Sequence, residues 1–169
     1  MNKKNIKAAR ALLLILCVSS AILLGSCERE QGKGENSADY FFEARGVTVR
    51  VGDDADNATT ALGEYNSLYL SPSCAVSGVD QMYVYNGFRL TAYPEADKHV
   101  IYIIELTNDT VSTAEGVSVG DTRQKVLSIY GEPYESVGES VRYTGRDCIL
   151  QFIIREGRVT SIKYLERTD

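Results

Sequence analysis

The chain of 169 residues has no tryptophan, three prolines and a single histidine, His99. One histidine cannot form a His cluster for a metal. No nucleophile in the sequence is visibly paired with it, so the Ser-His-Asp and Cys-His mechanisms lack their positioned base. The four cysteines include no C-x-x-C spacing, which removes the commonest redox and zinc signatures. No Gly-rich phosphate-cradling loop is present. Carboxylate pairs can be drawn from 23 acids in many ways, so none is specific. The longest low-polarity run, Ala11 to Leu24, covers 14 residues. A bilayer-spanning helix needs roughly 20. These absences leave no enzymatic signature, and the expected class is non-catalytic, with no cofactor and no metal.

What is present begins with that same run. Lys3, Lys4, Lys7 and Arg10 precede it, and Leu24-Gly25-Ser26-Cys27 closes it. Positive charge, an apolar segment and then small residues are the order of a secretory signal peptide. Residues 1–26 are therefore expected to be removed and Cys27 to carry lipid as the first residue of the mature protein. Two acyl chains hold firmly where one binds only reversibly. The expected location is extracytoplasmic, anchored to the cell membrane, or to the outer membrane of a cell that has one. Of 18 basic residues the leader takes four and no acid, leaving 14 against 23 acids, a net charge of −9. Such a surface repels phosphate backbones, so no nucleic-acid partner is expected. Residues 27–43 include Glu28 to Ser37, which hold no apolar residue and read as a flexible tether. Cys74 and Cys148 remain as one pair in an exported protein. An oxidising compartment permits a disulfide between them, and two buried free thiols are the other reading.

From there the chain repeats itself. Val51-Gly52-Asp53 returns as Val119-Gly120-Asp121, and Gly63 as Gly131, both 68 residues on. Tyr85-Asn86-Gly87 returns as Tyr143-Thr144-Gly145, 58 residues on. Val100, Ile103 and Leu106 return as Val159, Ile162 and Leu165, 59 residues on. Two repeats follow, residues 44–110 and 111–169. In each, a short strand leads to a helix with Asp53 or Asp121 at its N-cap, where a carboxylate accepts from free backbone N–H groups. Gln124 completes a capping-box pattern. Gly63 and Gly131 end the helices, and Asn86-Gly87 marks a hairpin. Three strands follow each helix. One such unit of roughly 60 residues buries too little surface to stand alone. The expected fold is therefore α+β: two αβββ-type repeats forming one antiparallel sheet with both helices packed on one face.

Gly120, Thr122, Val126, Tyr130, Gly131 and Pro133, with Leu150, Phe152, Gly157, Val159 and Ile162 downstream, carry a resemblance. The second half resembles the outer-membrane-assembly lipoproteins of the BamE (SmpA/OmlA) type, and by fold the β-lactamase-inhibitor-protein-like domains. The first half keeps Gly52, Leu62 and Gly63 but has Asp54 and Tyr65 where the pattern has Thr and Pro. The resemblance implies a helix-on-antiparallel-sheet fold and an exported address. A shared fold does not carry a function.

Two clusters invite a site. Asp53, Asp54, Asp56 and Asn57 are oxygen ligands, but an EF-hand loop needs an acid at its twelfth place. Counting from Asp54, that place holds Tyr65. First-turn helix acids account for the cluster through the dipole. Eleven tyrosines are the distinctive composition. Tyr83, Tyr85 and Tyr143, with Tyr69, Tyr93 and Tyr102 in support, are the candidate binding surface, since tyrosine gives rigid contact area with a polar tip. The functional expectation is a lipid-anchored module that binds an envelope or extracellular protein through an open sheet face. The alternative is a structural accessory of envelope assembly, marked by an apolar strip on a sheet edge or near the tether.

Overall fold

The computed structural model describes residues 38–74 and 76–167. The leader, lipidation at Cys27 and the tether as far as Ser37 lie outside the described residues. The fold starts before residue 44. A hairpin of β1 (Phe42–Ala44) and β2 (Val47–Val49) forms a two-stranded sheet, followed by α1 (Ala55–Leu62). Four strands come next: β3 (Ser67–Pro72), β4 (Val79–Val84), β5 (Phe88–Glu95) and β6 (Lys98–Leu106). Then α2 (Arg123–Tyr130) leads to β7 (Glu135–Val137), β8 (Ser140–Thr144), β9 (Cys148–Arg155) and β10 (Arg158–Glu166). All eight later strands join one antiparallel sheet in the order β3-β4-β5-β6-β10-β9-β8-β7.

The α+β expectation is corrected. The fold is mostly antiparallel β, one eight-stranded and one two-stranded sheet, not a balanced fold with helices packed on a sheet. Each half has four strands after its helix, because Ser67–Pro72 and Glu135–Val137 add an outer strand to each. The helices stop at eight residues: Gly63 and Gly131 take φ of 77° and 76° and close them. That geometry is nearly free for glycine and strained for residues with a Cβ. Two such helices make no layer. They give Ala55, Ala58, Leu62 and Val126 to the core, while the β1–β2 hairpin gives Phe42, Ala44 and Val49.

The duplication reaches individual hydrogen bonds. Gly52 N–H donates to the Ile101 carbonyl at 2.7 Å, and Gly120 N–H to that of Val159 at 2.7 Å. The Asp53 carboxylate accepts from Arg50 N–H at 2.7 Å, as the Asp121 carboxylate does from Ser118 N–H at 2.7 Å. These two aspartates therefore close turns and are not the N-caps. The caps lie one residue later: Asp54 accepts from Asn57 N–H at 2.9 Å, and Thr122 from Lys125 N–H at 3.2 Å. The strand equivalence also moves by one. Buried Ile101, Ile104 and Leu106 correspond to Val159, Ile162 and Tyr164, 58 residues on and not 59. The halves meet where β6 pairs with β10, opposing Leu106 to Ile162 and Ile104 to Tyr164.

Candidate functional site

The three tyrosines expected on the open face lie in the core. Tyr83, Tyr85 and Tyr143 are 5%, 2% and 0% exposed. Tyr83 sits opposite Leu90 and Tyr143 opposite Leu150, so they share the sheet face that the helices and the β1–β2 hairpin cover. Tyr85 stacks on Phe88 with ring centroids 4.6 Å apart. The Tyr143 hydroxyl donates to the Gly131 carbonyl at 3.0 Å, tying β8 to the end of α2. Burial pushes the Tyr83 and Tyr143 hydroxyls up to about 12. Tyr130 joins this cluster, its ring 5.2 Å from Tyr143 and 5.3 Å from Phe152; its hydroxyl donates to Glu115 Oε2 at 2.5 Å and lies 2.7 Å from the Thr113 hydroxyl. The structure thus brings the tyrosines together as packing and as polar ties.

Cys74 and Cys148 are not brought together. Cys148 is buried on β9, and its thiol donates to the Tyr40 carbonyl at 3.6 Å. Burial, with Asp147 and Asp39 nearby, pushes that thiol up to about 12. Cys74 is exposed between β3 and β4, and both thiols are free. His99 Nε2 lies 3.3 Å from the Val79 carbonyl, and Asp53 and Asp54 are engaged with backbone N–H groups. Among the described residues no group of three or more His, Cys, Asp or Glu side chains converges as a metal site.

The opposite face of the eight-stranded sheet is polar along one transverse row. Arg142, Gln151, Lys163, Glu105 and Arg89 stand side by side on five adjacent strands. Glu105 is the pivot. It accepts from Arg89 Nε at 2.6 Å and from the Ser161 hydroxyl at 3.1 Å, with Lys163 Nζ 3.6 Å away. Burial works to raise its carboxyl, but the Arg89 hydrogen bond, the Lys163 charge and the Ser161 hydroxyl outweigh it, and the group ends below its ordinary value. A carboxylate held low in the folded state stabilises the fold above its unfolded pKa and loses that contribution as pH falls through the folded value. Glu105→Gln is therefore expected to cost roughly 1–2 kcal/mol at neutral pH, reduced because Arg89 and Lys163 reach water. The cost should shrink toward zero below about pH 4, near the ordinary glutamate value. Urea melts of both proteins across pH 3–7 check this, and a pH-independent difference refutes it.

Beside the charged row the same face opens into a groove of about 540 Å³. Ile103 and Leu165, direct neighbours on β6 and β10, line it together with Tyr93, Pro94 and Tyr102. The Tyr93 and Tyr102 rings are 5.5 Å apart at 57°. Carboxylates surround these rings. Glu95 and Glu166 line the groove, Tyr93 donates to Glu166 at 3.3 Å, and Tyr102 donates to Asp80 Oδ2 at 3.0 Å. Burial first, then Asp80, pushes the Tyr102 hydroxyl up to about 12. The second Asp80 oxygen is buried without a hydrogen-bond partner. The groove combines an apolar, aromatic lining with an excess of negative charge, which suits the stem and head of a cationic side chain.

Sequence reasoning found Tyr93 and Tyr102 only as supporting residues and missed Ile103, Leu165, Glu166 and Asp80. β6 is apolar on both faces, and its pairing with β5 shifts register between Thr91 and Ala92. Alternation therefore does not say which of its side chains face outward. In comparisons with known proteins, no family model, no curated protein and no solved structure matches this chain.

Proposed function

We propose that this chain is a lipid-anchored extracytoplasmic module, non-catalytic, that binds another envelope or extracellular protein on the open face of its eight-stranded sheet. The groove at Tyr93, Tyr102, Ile103 and Leu165 is the observation that carries this reading. Among the described residues α1, α2 and the β1–β2 hairpin bury their side chains on the other face, while Val76 of the β3–β4 loop forms part of the groove wall, so this aromatic groove with its carboxylates stays available. It takes over the role that Tyr83, Tyr85 and Tyr143 cannot fill from the core. The partner chemistry that fits is a protein surface presenting lysine or arginine among apolar residues.

The test is site-specific photo-crosslinking on intact cells. A benzophenone side chain at Ile103, in the groove, is expected to give a discrete protein adduct. The same group at Ile129, exposed on α2, is expected to give none. Adding Glu166→Lys to the Ile103 variant should cut the adduct at least tenfold. Equal adducts from both positions, or an adduct indifferent to Glu166→Lys, count against the reading. The assembly-accessory reading has its own observation: the outer strand β3 exposes Leu68, Tyr69 and Leu70 along a sheet edge.

A further inference from the structure

Residues 65–79, between Glu64 and Asp80, form a run of fifteen residues without a charge, in a chain of which 24% is charged. Six of the nine exposed large apolar side chains among the described residues fall in this run: Tyr65, Leu68, Tyr69, Leu70, Val76 and Val79. Their exposure is large, 61% at Tyr69 and 63% at Leu70. The run contains β3, the terminal strand of the sheet, which pairs over six residues with β4 and, among the described residues, with no other strand. An edge strand offers unpaired N–H and C=O groups, and proteins usually guard such edges by shortness, charge or bulges. The other end of the sheet is guarded in this way. β7 is three residues long and carries Glu135, paired with Arg142 at 2.9 Å. β3 is six residues long and uncharged; its guard is Pro72 at the last position, which leaves the stretch from Ser67 to Ser71 open.

We infer that β3 is a pairing edge for a second copy of this chain, joined antiparallel across a twofold axis through Tyr69. Charge leaves this edge open to a second copy. The mature chain is strongly acidic, so two copies repel across most of their surface, and this edge is the stretch where they meet without opposing like charges. Register selects the axis. Leu68 and Leu70 lie on the core side of the sheet, with Leu68 opposite Tyr83, and Tyr69 lies on the other side opposite Met82. Residues opposed in an antiparallel pair share a face. An axis at Tyr69 sets Leu68 against Leu70 of the second copy and Tyr69 against Tyr69, so apolar meets apolar on both faces. A twofold contact uses the same patch on both copies, and the sheet continues across it. This inference names the partner for the edge and does not rest on the open-face reading.

The test is cysteine crosslinking of the full chain on intact cells, in a Cys74→Ser background that itself serves as the blank. Tyr69→Cys is expected to give a disulfide-linked dimer on mild oxidation. Leu68→Cys and Leu70→Cys should each give little alone and a strong heterodimer when two differently tagged chains are expressed together. Adding Ser67→Lys to the Tyr69→Cys chain should lower the dimer yield at least tenfold, and an unchanged melting temperature shows that the fold survives. No dimer above the blank from Tyr69→Cys overturns the inference and leaves the edge to a different protein. Equal yields from positions 68, 69 and 70, or a yield indifferent to Ser67→Lys, overturn it as random collision. Photo-crosslinking from Ile103 in the Ser67→Lys chain separates this outcome from the open-face reading.

Discussion

Phe42→Ala is expected to lower the unfolding free energy by about 3–5 kcal/mol, the range for removing a fully buried aromatic ring. Phe42 has no exposed surface, and its ring meets Phe88 at 4.9 Å and Tyr164 at 6.4 Å. Those partners belong to β5 in the first half and β10 in the second, so the ring lies over the join between the repeats. Its own strand can do little to hold it. β1 has three residues and, among the described residues, pairs only with β2, through three pairs. The segment before it is also seated closely: a Cβ on Gly145 would come within 2.8 Å of the Tyr40 ring and 2.9 Å of the Ala38 carbonyl oxygen. With the ring gone, the hairpin loses the side chain that fixes it to the sheet, and the cavity cannot close without moving this strap. Phe41→Ala is the control. Phe41 is half-buried with its ring 4.8 Å from the Arg50 guanidinium, and its loss should cost about 1 kcal/mol or less. Urea unfolding followed by far-ultraviolet circular dichroism reads both. A cost below about 1 kcal/mol for Phe42→Ala would show that the hairpin is not part of the cooperative fold.

The twofold repeat was legible because it is written in residues with backbone duties. Gly52 and Gly120 take φ of 93° and 92°, and Asp53 and Asp121 close the same turn, so the same residue types recur at the same places. Cap identity was misread by one position because two adjacent aspartates, Asp53 and Asp54, can both accept from helix N–H groups, and only backbone geometry divides the two tasks. Fold class was misread for a different reason. A glycine-bounded helix, an edge strand with apolar residues on both faces and a three-residue strand have no strong period, so β3 and β7 left little trace beside their longer neighbours. The candidate site failed on a question of sign. Alternation groups Tyr83 with Tyr85, but which face a group occupies depends on what covers the sheet. The cover is Phe42, Val49, Leu62 and Val126, contributed by short elements far away in sequence. The groove residues Ile103 and Leu165 were hidden because the central strands are apolar on both faces, and a register shift in each half breaks the count of two.

Leu90→Ala in the first half and Ile162→Ala in the second are each expected to cost about 2–5 kcal/mol while leaving one unfolding transition. Both side chains are fully buried, in β5 and β10. If the repeats were separate domains, each substitution would lower the melting of its own half and split the curve. The geometry points the other way. β6 and β10 pair at the centre of the sheet, and the buried side chains of both halves form one contiguous cluster. A unit of roughly 60 residues gains too little from burial to persist once its neighbour has unfolded. Loss of either half exposes the flank of the other, including Leu106 opposite Ile162. Calorimetry decides between the two: a ratio of calorimetric to van't Hoff enthalpy near one is expected for the wild type and both variants. Near-ultraviolet signal from the buried tyrosines of both halves should disappear together with the far-ultraviolet signal. A ratio approaching two, or a Leu90→Ala curve that resolves into an early and a late step, would separate the halves and remove the shared interior on which the open face and its groove depend.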